Sequence, residues 1–225
     1  MLAALAPAAS AWAGRRPAIL DVGCGKGEIL IRAMQRFGAT GVGVEPNPSF
    51  HSEARVRAAA AGVTDDLVLH LATIAAAPVP RGAFEVVICT GATHAFGAYR
   101  PALDAIAQRA CPAGAALVGI GYWKQPPDPA YLASFGGRED EMLPLAETLA
   151  VPARAGWRML AHHASTPAEW DEYELGYEAA LRRWFALRPG DPDLAGFRER
   201  IDAWADGYAR WGRATMGFVT MAMRR

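Results

Sequence analysis

Little in this sequence points to a specialised environment. Its three cysteines, Cys24, Cys89 and Cys111, are odd in number and scattered, which excludes a disulfide framework and a thiolate metal cluster and makes a reducing, cytoplasmic setting the expectation. There is no excess of either charge, with 23 basic against 23 acidic residues, so no overall field gathers phosphates and nucleic acid is not an expected partner. No apolar run has the length of a membrane span, and no membrane partner is expected. Repeats, low-complexity tracts and flexible linkers are missing as well. The opening stretch "MLAALAPAASAWAGRR" lacks positive charge ahead of its apolar run, and reads as a short packed helix in preference to a signal peptide. What remains is 225 residues with 52% apolar side chains, enough for one substantial core, so 1–225 is read as a single domain.

Residues 1–123 alternate β-like runs with helical patterns, the signature of parallel strands joined by helical crossovers. Strands are expected at "AILDVG" (18–23), "TGVGVE" (40–45), "LVLHLA" (67–72), "FEVVICT" (84–90) and "ALVGIGYW" (116–123). Their nearly continuous apolar character suits strands covered on both faces. Asn47-Pro48 reads as an N-cap with a first-turn proline, and Gly62 as the end of that helix. After Trp123 the prolines of "KQPPDPAYL" break the alternation. Two further strands, "GWRMLAHHA" (156–164) and "TMGFVTMAMRR" (215–225), are expected to pair antiparallel, with two helices between them. The first opens on the capping box Thr166-Pro167-Ala168-Glu169 and the second on Asp191-Pro192. The expected fold is therefore α/β: a doubly wound, mostly parallel seven-stranded sheet, Rossmann-like, with an antiparallel C-terminal strand and a helical cap insertion over 166–212.

The loop in "ILDVGCGKGE" (19–28) follows the first strand, where doubly wound folds keep their ligand. A dinucleotide fingerprint needs a third glycine where this chain has Glu28, and a carboxylate sits badly beside a diphosphate. The Walker pattern fails too, because no serine or threonine follows Lys26 at the required place. Strand two ends in Glu45, at the distance from the glycines where an acid reaches a ribose diol. A ribose without a pyrophosphate is the outcome, and S-adenosylmethionine meets it; a nicotinamide dinucleotide is the runner-up.

The segments "ILDVGCGKGE", "GVGVEPN" and "FEVVICTGATHAFG" resemble three motifs of the class I S-adenosylmethionine-dependent methyltransferases. The tail "GYWKQPP" and the pattern "TPAEWDEYELGYEAALRRW" look like a bacterial subgroup acting on small molecules. The resemblance implies that Gly23, Cys24, Gly25 and Gly27 lie along the methionine moiety with Asp21 at its polar end. It implies that Glu45 takes the ribose hydroxyls, that Pro46 packs on the adenine, and that Thr90 and Gly91 line the opposite side. Where relatives place an acid for the adenine amino group, this chain has Thr73. Residues 1–123 would form the cofactor half and 124–225 the substrate half. Transfer of the methyl group to N or O of a small-molecule metabolite is the implied activity. Cleavage or cyclisation of the cofactor, and a non-catalytic cofactor-binding module, are the alternatives.

Methyl transfer from a sulfonium rests chiefly on placement of the nucleophile, with a base needed for acidic acceptors. His94, just beyond strand four, is the candidate base. His70 reads as a core residue and His51 as part of an early helical turn. His162 and His163 would point to opposite sheet faces and could not share a metal, so no metal site is expected. Tyr122 and Trp123 follow strand five and could wall a substrate. Trp170, Tyr173, Tyr177, Leu181 and Trp184 fall on one helical face, as do Trp204, Tyr208 and Trp211. The two stripes are expected to pack on each other, with Trp170 and Tyr173 reaching a substrate pocket.

Overall fold

The computed structural model describes residues 2–5 and 15–225. These fall into two units: one of residues to Ile120 with Leu149–His163 and Thr220–Arg225, the other of Gly121–Thr148 and Ala164–Val219. A seven-stranded sheet runs in the order β3-β2-β1-β4-β5-β7-β6. Its strands are β1 (Ala18–Val22), β2 (Thr40–Glu45), β3 (Leu67–Leu71), β4 (Phe84–Thr90), β5 (Ala110–Trp123), β6 (Arg158–Ala164) and β7 (Met216–Arg224).

β1 pairs parallel with both β2 and β4, aligning Asp21 with Gly43 on one side and with Ile88 on the other. Chain order therefore reverses at β1, and the ends of β1 and β4 open a crevice of the kind in which such sheets bind ligands. β7 runs against β5: Lys124 N–H donates to Thr215 O at 2.7 Å, and Arg225 N–H to Gly114 O at 3.0 Å. The expected antiparallel C-terminal strand is thus present.

Helix α1 (Glu28–Phe37) buries Leu30, Ile31, Ala33 and Met34, the one-sided pattern of a helix lying on a sheet. Two glycines of β2 let it lie close. A Cβ at Gly41 would strike Met34 Sδ, and one at Gly43 would stand 2.9 Å from Cys24 Sγ and 3.2 Å from Leu30. Helix α2 (Pro48–Ala60) starts as expected, with Asn47 Oδ1 accepting from the amides of Ser49 and Phe50. Glu85 fixes the start of β1, its carboxylate accepting from Ala18 N–H at 2.8 Å and from Arg15 at 2.9 Å. Helix α3 (Tyr99–Arg109) buries Leu103 and Ile106.

Three expectations in the first unit need correction. β5 begins six residues earlier than its apolar run, because "ACPAG" looks like a turn but is carried inside the strand: Ala110 pairs with Phe84, and pairing resumes at Ala115 with Val86 after a register break. β3 is an edge strand with Val68 and Leu71 more than half exposed, and His70 on it is only half-buried, so it is not a core histidine. At the N-terminus Leu2–Leu5 form a 3-10 turn with Leu5 fully buried; the remainder of the expected short helix lies outside the described residues.

In the second unit α4 (Pro129–Phe135) precedes a strand-like bridge from Trp123 to Pro144; α5 (Leu145–Arg154) then carries the chain back into the first unit and to β6. α6 (Pro167–Ala186) opens on the full Thr166/Glu169 capping box. α7 (Ala195–Gly207) follows a 3-10 turn over Pro192–Leu194 and runs into a π-helical turn at Tyr208–Gly212. The two helices do meet through aromatic rings: Tyr177 sits edge-on to Trp204 at 5.6 Å, and Phe185 to Phe197 at 5.2 Å. The buried face of α6 is not the expected one, however. Trp170, Glu174 and Phe185 are inside, while Tyr173, Tyr177 and Trp184 are exposed.

Candidate active site

The crevice at the ends of β1 and β4 has a volume of about 470 Å³. Of the residues singled out from sequence, Gly23, Gly25, Glu45, Pro46, Thr73, Thr90, Gly91 and His94 line it together. Asp21, Cys24 and Gly27 belong to the layer behind. Asp21 is buried in β1, the Cys24 side chain packs towards β2, and Gly27 caps α1.

The three loop glycines all have positive φ, at 69°, 54° and 79°, a region L side chains adopt at a cost. The reasons for glycine differ. A Cβ at Gly23 would collide with that of Ala92, whereas one at Gly25 meets nothing within 4 Å. Gly25 thus presents bare backbone to open space, a cradle for a ligand. Lys26, between the glycines, turns away to Glu53 at 2.8 Å. Glu28 is spent on Arg32 and Arg57.

Glu45 holds the crevice edge. One carboxylate oxygen accepts from Gly25 N–H at 2.9 Å and the other from Asn47 N–H at 2.8 Å, so a single side chain ties the loops after β1 and β2. Buried and pinned by two backbone donors, it is pre-positioned with lone pairs to spare for hydroxyls. Burial pushes the Asp21 carboxyl up to about 7, and the charge of Glu45 adds to the shift. Across the crevice, Thr90 Oγ1 is buried without a hydrogen-bond partner. A buried hydroxyl in this state calls for a polar group of a ligand. Among the lining residues there is neither lysine nor arginine, which ill suits a diphosphate. A nucleoside bearing a cationic tail fits: a carboxylate for its diol, bare backbone along one side and an orphan hydroxyl on the other.

Sequence reading missed Phe50 and Ile74, which also line the crevice. Phe50 carried a signal, a large apolar side chain in the exposed first turn after "EPNP"; Ile74 carried none. Tyr122, Trp123, Trp170 and Tyr173 belong to the second unit and line neither this crevice nor that unit's cavity. Tyr122 packs on Gly217, and Trp123 Nε1–H donates to Glu139 O at 2.8 Å. Trp170 stacks between Tyr173 and Phe218. His51 Nε2 lies 3.4 Å from Leu69 O, and His162 and His163 are exposed on β6. Among the described residues no acid, histidine and cysteine group could hold a metal ion, and no helix is long and apolar enough to cross a membrane.

A family model described as a methyltransferase domain matches residues 19–114. The chain is similar over its length to a S-adenosylmethionine-dependent methyltransferase from Geobacter sulfurreducens, solved with S-adenosyl-L-homocysteine. The TM-score is 0.85 at 26% identity, covering 99% of this chain and 90% of that one. A counterpart from Thiobacillus denitrificans, in the same complex, gives 0.83 at 26% identity over 99% and 91%. The uncharacterized protein YjhP of Escherichia coli K12 is 28% identical over 207 residues, covering 91% of this chain and 83% of YjhP. Its X-ray structure superposes with a TM-score of 0.84 over 99% of this chain and 92% of that one.

A doubly wound sheet with a nucleoside-fitting crevice at its switch point defines the class of protein. The match over residues 19–114, and the likeness over nearly the whole chain to enzymes solved with S-adenosyl-L-homocysteine, make it an S-adenosylmethionine-dependent methyltransferase with S-adenosylmethionine as its cofactor.

Proposed function

We propose that the protein methylates a nitrogen or oxygen atom of a small-molecule metabolite. The observation that carries this reading is the make-up of the crevice, which has one carboxylate, one imidazole and no guanidinium or ammonium group on its lining. Polyanionic acceptors such as nucleic acid have nothing to hold them there, and the neutral charge of the whole chain agrees.

When bound, S-adenosylmethionine supplies an electrophilic methyl group on a sulfonium. Glu45 accepts from the ribose hydroxyls, and Pro46, Phe50 and Thr73 flank the base. Gly23, Cys24, Gly25 and Gly27 offer backbone along the methionine part, Asp21 lies behind its cationic end, and Thr90 and Gly91 close the far side. His94, exposed in the 3-10 turn Thr93–Phe96, takes the proton from the acceptor as the new bond forms. The chain to residue 123 acts as the cofactor half, and residues 124–225 supply acceptor-binding groups.

The test is mass spectrometry on metabolite mixtures incubated with enzyme and cofactor. A product about 14 mass units heavier, formed with S-adenosylhomocysteine, supports transfer. Release of methylthioadenosine would point instead to cleavage of the cofactor. Absence of any turnover despite cofactor binding by calorimetry would point to a binding module.

A further inference from the structure

The second unit contains a cavity of about 550 Å³, the size of a small-metabolite site, and its wall includes a misplaced acid. On α6, Glu174 is 5% exposed while its neighbour Leu175 is 52% exposed. A helix built only for packing would orient these two the other way. Burial pushes the Glu174 carboxyl up to about 7, with no neighbouring cation offsetting it.

Two donors on the wall around this acid, Tyr208 and Ser134, are committed elsewhere. Tyr208, on the cavity wall, donates its hydroxyl to Asp171 at 2.6 Å. The guanidinium of Arg213 is bound through two nitrogens to that same Asp171. Ser134 donates to Tyr131 O at 2.7 Å. The Tyr131 hydroxyl lies beside Gly212, where an added Cβ would stand 2.7 Å from it. Arg200 also lines the cavity, but it is exposed and its guanidinium lies over the Phe197 ring at 5.4 Å, with no ion pair to Glu174. Among the described residues, none hydrogen-bonds or ion-pairs with Glu174. Four aromatic rings make up much of the remaining wall, beside Ala203, Gly207 and Met216: Tyr131 meets Phe135 edge-to-face at 4.9 Å, and Trp204 stacks with Tyr208 at 6.4 Å.

A carboxylate without a donor, enclosed by π-faces, is complementary to an organic cation. The rings attract positive charge through their quadrupoles, and an ammonium brings the hydrogens the acid lacks. An anion would meet the acid head-on, and a hydrocarbon would leave it unsatisfied. We propose that this cavity binds an amine, its ammonium group seated on Glu174 and its apolar body against Tyr131, Trp204 and Tyr208. The inference concerns binding, and it holds whether or not the amine is the atom methylated.

The experiment is calorimetric titration of the full chain with two probes of one shape, phenethylamine and 2-phenylethanol. Wild type should bind the amine at least about tenfold more tightly than the alcohol, the margin of one charge-assisted hydrogen bond. Glu174→Gln, nearly isosteric and neutral, should erase that preference, and Trp204→Ala should weaken both probes. S-adenosylmethionine titration and circular dichroism on the same samples check the crevice and the fold separately. A variant that is folded but blind to the cofactor would bear on the crevice alone. Equal binding of amine and alcohol, an amine preference surviving Glu174→Gln, or binding of neither probe by folded protein would overturn the proposal.

Discussion

The carboxylate of Glu45 accepts a hydrogen bond from the backbone amide of Gly25 at 2.9 Å. Twenty residues apart in the chain, the two fix one edge of the crevice, because the other carboxylate oxygen is held by Asn47 N–H. Glu45→Gln cannot reproduce this, since its amide group presents N–H to one of the two backbone donors. Losing one charge-assisted bond costs on the order of 1–3 kcal/mol, so S-adenosylmethionine affinity should fall by about 10- to 100-fold by calorimetry.

Gly23 and Gly25 should respond differently to alanine. Both have positive φ, worth about 1–2 kcal/mol for a non-glycine residue. Only Gly23→Ala adds a collision, with the Ala92 side chain, costing about 1–3 kcal/mol more. The melting temperature of Gly23→Ala should drop by roughly 5–15 °C. Gly25→Ala should lose less stability and proportionally more cofactor affinity, because its methyl enters the open crevice.

Asp21 gives a signed pH dependence. Its carboxyl, raised to about 7 by burial and then by Glu45, holds a proton more tightly in the folded than in the unfolded chain. Its contribution to stability is full below the ordinary carboxylate range, declines as pH rises towards 7 and is constant above. Asp21→Asn removes that decline. Against wild type, the variant should gain stability between pH 4 and 8 by an amount on the order of 4 kcal/mol. Urea titrations across that range that run parallel for the two proteins would count against this.

His94 is on the crevice lining and exposed, so its removal should leave the fold intact. If it serves as the base, His94→Ala lowers kcat by roughly 10²- to 10⁴-fold with cofactor affinity little changed. Unaltered turnover would remove the assignment.

Asn47 offers a control. Its side chain caps α2 while its backbone N–H binds Glu45. Asn47→Ala should cost about 1 kcal/mol of stability and spare cofactor affinity.

Much of the first unit was legible because its strands are short apolar runs between explicit caps. β2, β4 and the Asn47 cap fall where the sequence places them, as does the Thr166 cap in the second unit. The start of β5 was not, because Pro112 and Gly114 carry turn chemistry inside a strand that tolerates them at a register break. In α6 the aromatic stripe was periodic, yet the helix is rotated so that Trp170 and Glu174 face inward and Tyr173 and Tyr177 outward. Hydrophobic periodicity cannot find a buried face that contains an acid. Glu45 was legible because its partner glycines stand at a known chain distance; Ile74 was not, since nothing local distinguishes it from a core residue.

The glycines of β2 have a consequence at the front of the sheet. Gly43 lies under Cys24, the residue between Gly23 and Gly25, with 2.9 Å between its missing Cβ and the thiol sulfur. It acts as a shim: its thickness sets the height at which the glycine loop rides above the strand ends. A single methyl at position 43, hidden from any ligand, would press on Leu69 as well as on the Cys24 thiol, and any shift passed to the loop would register as a change in cofactor affinity, a way to retune the site from behind its own binding face.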